Sequence, residues 1–179
     1  MTNDKSTYKK VVVRRLDRGV FKGFVDSTSY LRPGSIEMLD REGRAVHVPI
    51  DEIKAVFFVR DFEGNPQRSE RKLFRSRPRL AGLWVHMTFK DGEVLEGLLP
   101  SNLAELQPQG FLMTPADLYS NNLKIFVPRT ALSRIDVLGV IPDTRTRRLV
   151  LSRKGIAGGT TERQLGLFAV GEEQSKKLP

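Results

Sequence analysis

Cysteine is absent from this 179-residue chain, which excludes disulfides, thiolate metal sites and cysteine nucleophiles together. Histidine is almost absent. His47 and His86 both fall in strand-like patterns with no metal-ligand spacing between them, so each reads as a surface or packed side chain rather than a ligand or catalyst. No apolar run approaches the roughly 18 residues of a membrane span. The start, Met1-Thr2-Asn3-Asp4-Lys5-Ser6, leads into no long apolar stretch of the secretory kind. A cytoplasmic protein with no membrane partner is the expectation. The stretch from Gly155 to Gly159 lacks the lysine and the strand-to-helix setting that a phosphate-cradling loop needs. Acids are scattered and sit mostly in turns, as at Asp40, Glu42, Asp91 and Asp117, where a solvated role is expected. The chain therefore reads as non-enzymatic, with no cofactor and no metal site.

Acids are also outnumbered. Lys and Arg total 30 against 21 Asp and Glu, a formal charge of +9, which favours polyanionic partners. With 39% hydrophobic and 28% charged residues the chain can bury a core, and its length suits one or two small domains.

What is present is a repeat. Asp17-Arg18-Gly19-Val20-Phe21-Lys22-Gly23-Phe24-Val25 runs down to Val46-His47-Val48-Pro49-Ile50-Asp51-Glu52-Ile53. Asp91-Gly92-Glu93-Val94-Leu95-Glu96-Gly97-Leu98-Leu99 then runs down to Ile125-Phe126-Val127-Pro128-Arg129-Thr130-Ala131-Leu132. Gly23 maps onto Gly97 and Pro49 onto Pro128, so two copies of one module are expected. Strand patterns fill both. Leu83, Val85, Met87 and Phe89 alternate with Trp84, His86 and Thr88, and Asp91-Gly92 suits a tight hairpin before Val94 to Leu99 returns. Pro49 and Pro128 end their strands and introduce a single helical turn before the last strand of each copy. Each copy has about five short strands, and such small sheets bury little unless they curl and close.

Gly23 and Gly97, placed inside strands, suit a sharp bend or a close backbone approach. With the glycine pair of Gly92-Glu93-Val94-Leu95-Glu96-Gly97, and the shorter Gly19-Val20-Phe21-Lys22-Gly23, each half resembles the Sm-like and SH3-like small barrels. The arginine-glycine RNA-binding signature of the Sm family is absent from both copies. Across residues 8–141 the chain is also similar to an uncharacterised bacterial family. The expected fold is all-β, a tandem pair of small five-stranded Sm-like/SH3-like barrels with a flexible C-terminal tail. The first barrel spans 8–62, a basic linker 63–79, the second barrel 80–141, and the basic flexible tail 142–179.

The linker carries Arg68, Arg71, Lys72, Arg75, Arg77 and Arg79, interrupted by Leu73-Phe74, and planar guanidinium groups suit phosphates. Arg71 and Arg75 also have the spacing that leads into the barrel of cyclic-di-GMP-binding PilZ domains, as do Arg14 and Arg18. PilZ domains next require an Asp or Asn, a Ser two residues on and a Gly three beyond that, and neither Asn102 to Gln107 nor Asp26 to Leu31 has the Ser and the Gly at those positions. Trp84, Phe57, Phe58, Phe62, Phe89, Phe111 and Tyr119 are either stacking platforms or core.

Past the small, polar Gly155 to Thr161 stretch, Gln164-Leu165-Gly166-Leu167-Phe168 is similar to the peptide by which bacterial polymerases and repair proteins attach to the sliding clamp. In that family the glutamine, here Gln164, hydrogen-bonds at one subsite and the last two apolar side chains, here Leu167 and Phe168, fill a pocket, with Leu165 between them. The other reading docks Leu165, Leu167 and Phe168 back on a barrel. The leading expectation is a nucleic-acid-associated adaptor whose linker contacts phosphates and whose tail recruits the clamp. The competing one is a regulatory or scaffold protein whose paired barrels bind a protein or a cyclic dinucleotide. A homo-oligomer is a further candidate, since Sm-like barrels often form rings.

Overall fold

The computed structural model describes residues 7–65, 67–102 and 105–143. The expected tail, 142–179, with Gln164, Leu165, Leu167 and Phe168, falls outside these residues apart from Pro142 and Asp143. The chain divides into a compact unit spanning residues 1–144 and a second unit spanning 145–179.

The fold is all-β. In chain order the strands are β1 (Tyr8–Arg15), β2 (Val20–Asp26), β3 (Leu31–Arg32), β4 (Ser35–Leu39), β5 (Ala45–Pro49), β6 (Ile53–Val59), β7 (Gly82–Phe89), β8 (Val94–Leu99), β9 (Gly110–Pro115), β10 (Asn122–Pro128) and β11 (Leu132–Ile141). Single 3-10 turns at Ile50–Glu52 and Arg129–Ala131 follow the two prolines, as the sequence implies. Among the described residues no helix is long and apolar enough to cross a membrane.

The repeat is visible strand by strand. Val11 faces Gly23 across β1–β2, and Val85 faces Gly97 across β7–β8. A Cβ on Gly23 would lie 2.1 Å from the Leu39 carbonyl oxygen and 2.5 Å from the Met38 methyl. One on Gly97 would lie 1.9 Å from the Met113 methyl and 2.7 Å from the Thr114 carbonyl oxygen. Both glycines therefore mark where the next strand crosses too closely for any side chain. Phe24 meets Leu39 there, and Leu98 meets Thr114.

The strands do not form two separately closed rings. They run as one open antiparallel sheet in the order β11-β7-β8-β9-β10-β6-β1-β2-β4-β3, with β5 on β4. The halves are joined where β6 pairs with β10, Phe57 facing Ile125 and Val56 facing Phe126. The reason is local composition. Both strands carry runs without alternation, Ala55-Val56-Phe57-Phe58-Val59 and Ile125-Phe126-Val127, and a strand apolar on both faces needs cover on both. Val56 and Phe58 enter one core, built on Val11, Val13, Val25, Ile36 and Met38, and Phe126 of the second half joins them. Ala55 and the half-buried Phe57 enter the other core, built on Val85, Met87, Phe111, Met113 and Ile125. Phe126 and Ile125 are both essentially inaccessible, and burial of each stabilises by about 2 kcal/mol.

Tyr30 seals the first core edge-to-face against Phe58 at 5.5 Å and Phe126 at 6.0 Å. Its burial raises the phenol pKa to about 12. Lys54 of β6 pairs with Asp91 and Glu93 at the β7–β8 turn, a second tie between the halves.

Candidate functional site

The connecting segment, residues 60–81, carries the cationic cluster and is stitched to the sheet along its length. At its start the Arg60 N–H donates to the Asn121 carbonyl at 2.9 Å, and the Asn121 side chain both accepts from Asp61 N–H and donates to the Asp61 carbonyl. Phe62 packs edge-to-face on Phe24 at 5.3 Å. Gly64, at φ 62°, turns the chain over Asn121. Asn65 then accepts from Gln67 N–H, an Asx turn that starts the basic run.

The predicted arginines divide into two groups. Arg68 donates twice to Asp117, at 2.9 and 3.0 Å, and Arg71 reaches the same carboxylate at 3.7 Å. Asp117 was expected in a solvated turn; it is 1% exposed, because the segment covers it. Burial raises its carboxyl pKa, but hydrogen bonds from Arg68 and from the N–H groups of Tyr119 and Arg71 outweigh that, and the net shift is downward. Lys72 pairs with Glu93 at 2.7 Å. Lys54 and then Lys72 hold the Glu93 carboxyl below its ordinary range. Arg75, Arg77 and Arg79 lie beyond this anchorage and are exposed. Arg77 donates to the Val140 carbonyl at 3.4 Å, and Arg75, Arg77 and Arg79 have no acidic partner among the described residues.

Between the two groups sits a latch that residue type alone does not reveal. The Glu96 carboxylate is 9% exposed. It accepts from the Phe74 backbone N–H at 3.1 Å and the Trp84 indole N–H at 3.1 Å, and lies 3.3 Å from His86 Nδ1. The Glu96 N–H in turn donates to the Lys72 carbonyl at 2.8 Å, and Phe74 packs edge-to-face on Trp84 at 6.0 Å. Leu73-Phe74 breaks the charge run, which is the signal that this part docks. The buried acid opposite it was readable only as the one polar position among Leu95, Gly97, Leu98 and Leu99. His86 thus has a structural partner, while His47 is exposed.

Beneath the segment lies a cavity of roughly 480 Å³. Its floor is apolar, including Val12, Phe57 and Ile125, and its rim is charged. Arg14 stands over the Phe57 ring at 5.5 Å and has no acidic partner among the described residues. Of the other aromatic candidates, Phe58, Phe89 and Phe111 are core and Trp84 belongs to the latch, whereas Tyr119 is 81% exposed. Among the described residues no cluster of three or more metal-ligating side chains forms.

Charge is unevenly placed along the chain. Residues 7–143 hold 21 basic and 17 acidic side chains; residues 144–179 hold eight basic and three acidic. The segment's own acid contacts further reduce the cation available on the sheet.

A family described as Family of unknown function (DUF6982) matches residues 7–139, most of the chain, and the chain belongs to it. No curated protein and no solved structure matches.

Proposed function

We propose that this member of the family of unknown function DUF6982 is a non-enzymatic, nucleic-acid-associated adaptor of the cytoplasm. Arg75, Arg77 and Arg79, with the cation-rich residues 144–179, contact phosphates, while Gln164, Leu165, Leu167 and Phe168 recruit a sliding clamp. In this reading each half derives from an Sm-like/SH3-like small barrel, opened so that β6 and β10 join. The observation that carries the proposal is the division of the basic cluster. Arg68, Arg71 and Lys72 are spent on Asp117 and Glu93, whereas Arg75, Arg77 and Arg79 are exposed and have no acidic partner among the described residues. Exposed guanidinium groups in a row beyond a fixed anchor suit phosphate contact.

The test is fluorescence-anisotropy titration with single-stranded DNA, duplex DNA and RNA at two salt concentrations. Replacing Arg75, Arg77 and Arg79 together by alanine lowers affinity and flattens the salt dependence by about three phosphate contacts. Arg68→Ala lowers the melting temperature without changing the salt slope. If the triple variant binds as tightly, with the same slope, the surface is misassigned. For the tail, alanines at Leu167 and Phe168 abolish clamp capture and leave the melting temperature unchanged.

The cavity favours one competing reading, a regulatory module that takes a nucleotide. An aromatic floor at Phe57 beneath Arg14 suits a base and a phosphate together. Labelled cyclic-di-GMP, a probe for that site, binds in this reading and loses affinity on Arg14→Ala.

A further inference from the structure

The two halves meet through one pairing, β6 with β10, and the repeat gives each of those strands a twin. The twin of β6 is β11. Val137, Asp136 and Ile135 face Val85, His86 and Met87 across β7–β11, as Phe58, Phe57 and Val56 face Val11, Val12 and Val13 across β1–β6. Both ladders skip a residue at the same place, between Ile53 and Ala55 on β6 and between Leu132 and Arg134 on β11, and β11 skips one more, between Val137 and Gly139. The twin of β10 is β5, since Val46 and Val48 face Met38 and Ile36 as Ile125 and Val127 face Met113 and Phe111. Among the described residues β11 pairs only with β7, and β5 only with β4. Among the described residues the sheet therefore presents, unpaired, a second version of both sides of its own junction.

Burial marks the same vacancy. Ile135, Val137 and Leu138 are 37, 61 and 48% exposed, whereas their twins Val56, Phe58 and Val59 are 0, 8 and 6% exposed. On β6, Val56 and Phe58 lie in the first core, where Phe126 of β10 packs with them and Tyr30 closes over Phe58. The backbone points the same way. Ile50 N–H donates to the Gly34 carbonyl and Asp40 N–H to the Arg44 carbonyl. By antiparallel alternation Val46 and Val48 then bond to β4, and the N–H groups of Ala45 and His47 face the open edge. On β10 the bond from Arg129 N–H to the Gln109 carbonyl directs Phe126 and Lys124 toward β6 by the same alternation.

We propose that β11 of one copy pairs antiparallel with β5 of a second copy, in the register of the internal junction. His47 then stands opposite Ile135, Val46 opposite Asp136 and Ala45 opposite Val137. The contact is head-to-tail: every added copy brings a new β5 and a new β11, so assembly proceeds to a ring or an open array. His47 stands where the internal junction has Phe126, and Asp136 where it has Phe57, so this seam is more polar than the internal one and its association is reversible. The inference rests on the repeat and the open edges and is independent of nucleic-acid binding.

Sedimentation velocity of the full chain across about 1 to 100 µM, the range in which small interfaces associate, tests it. Wild type shifts to larger species with concentration. His47→Pro removes a donor from the β5 edge and Val137→Pro one from the β11 edge, so each variant alone is monomeric. Mixed in equal amounts they form a dimer that grows no further, because the first retains β11 and the second retains β5. If Val137→Pro fails to fold by circular dichroism, Val137→Lys replaces it and sets a charge into the seam without touching the backbone. A wild type monomeric throughout the range overturns the proposal. So does self-association of His47→Pro alone, which would mean that β11 pairs with β11.

Discussion

Glu96→Ala tests how the connecting segment is held, and its cost can be worked from the geometry. The carboxylate accepts the Phe74 N–H and the Trp84 indole N–H, both at 3.1 Å, at a position 9% exposed. Hydrogen bonds to charged groups contribute about 1.5–3 kcal/mol each, and an orphaned buried donor adds its desolvation cost. Water reaches part of the site once the side chain is removed, so the expected loss is about 2–4 kcal/mol rather than the full sum. For a unit of this size that lowers the melting temperature by about 6–15 °C. Glu96→Gln keeps an acceptor at one atom and loses about half as much. Trp84 is the only tryptophan in the chain, so its emission reports the latch directly while circular dichroism reports the sheet. On Glu96→Ala the emission shifts to the red, and protease cleavage between residues 64 and 79 accelerates. A variant that melts within about 1 °C of wild type, with unchanged emission, would refute the latch.

Two further outcomes follow from the packing and the charges. Gly23→Ala places a methyl 2.1 Å from a backbone oxygen that cannot rotate away, and destabilises by about 2–3 kcal/mol in chemical denaturation. Gly139→Ala, with nothing within 4 Å, stays within about 0.5 kcal/mol of wild type; equal effects at the two sites would contradict the close crossing at β2–β4. Asp117 has a folded pKa below its ordinary 3.8. Its contribution is present above that value and is lost as pH falls through the folded pKa. Thermal melts between about pH 5 and pH 2 therefore show a steeper loss for wild type than for Asp117→Asn, which is less stable at neutral pH but flatter below it. Parallel curves for the two proteins would show that the Arg68–Asp117 pair does not set this acid sensitivity.

Much of the architecture is written locally. Strand alternation at Leu83 to Phe89, the hairpin at Asp91-Gly92, the prolines that end β5 and β10, and the equivalence of Gly23 with Gly97 are each set by residues a few positions apart, where period-2 patterning and turn chemistry act without help from the rest of the chain. The basic cluster was equally plain as composition. Its division was not, since Arg68 and Arg75 are the same residue type seven positions apart. Only the fold brings Asp117 beneath one and leaves the other in solvent. Likewise Glu96 acquires its role from Trp84, His86 and Phe74, which the β7–β8 hairpin and the returning segment gather around it. The joining of the halves is the largest of these decisions. Ala55 to Val59 announces a strand apolar on both faces, but which strand covers it depends on Ile125 and Phe126, some seventy residues away. Local sequence determined the strands, the turns and the repeat, because those follow from backbone and neighbour sterics. The tertiary structure decided the open shared sheet and which charges remain free, because both depend on burial between residues far apart in the chain.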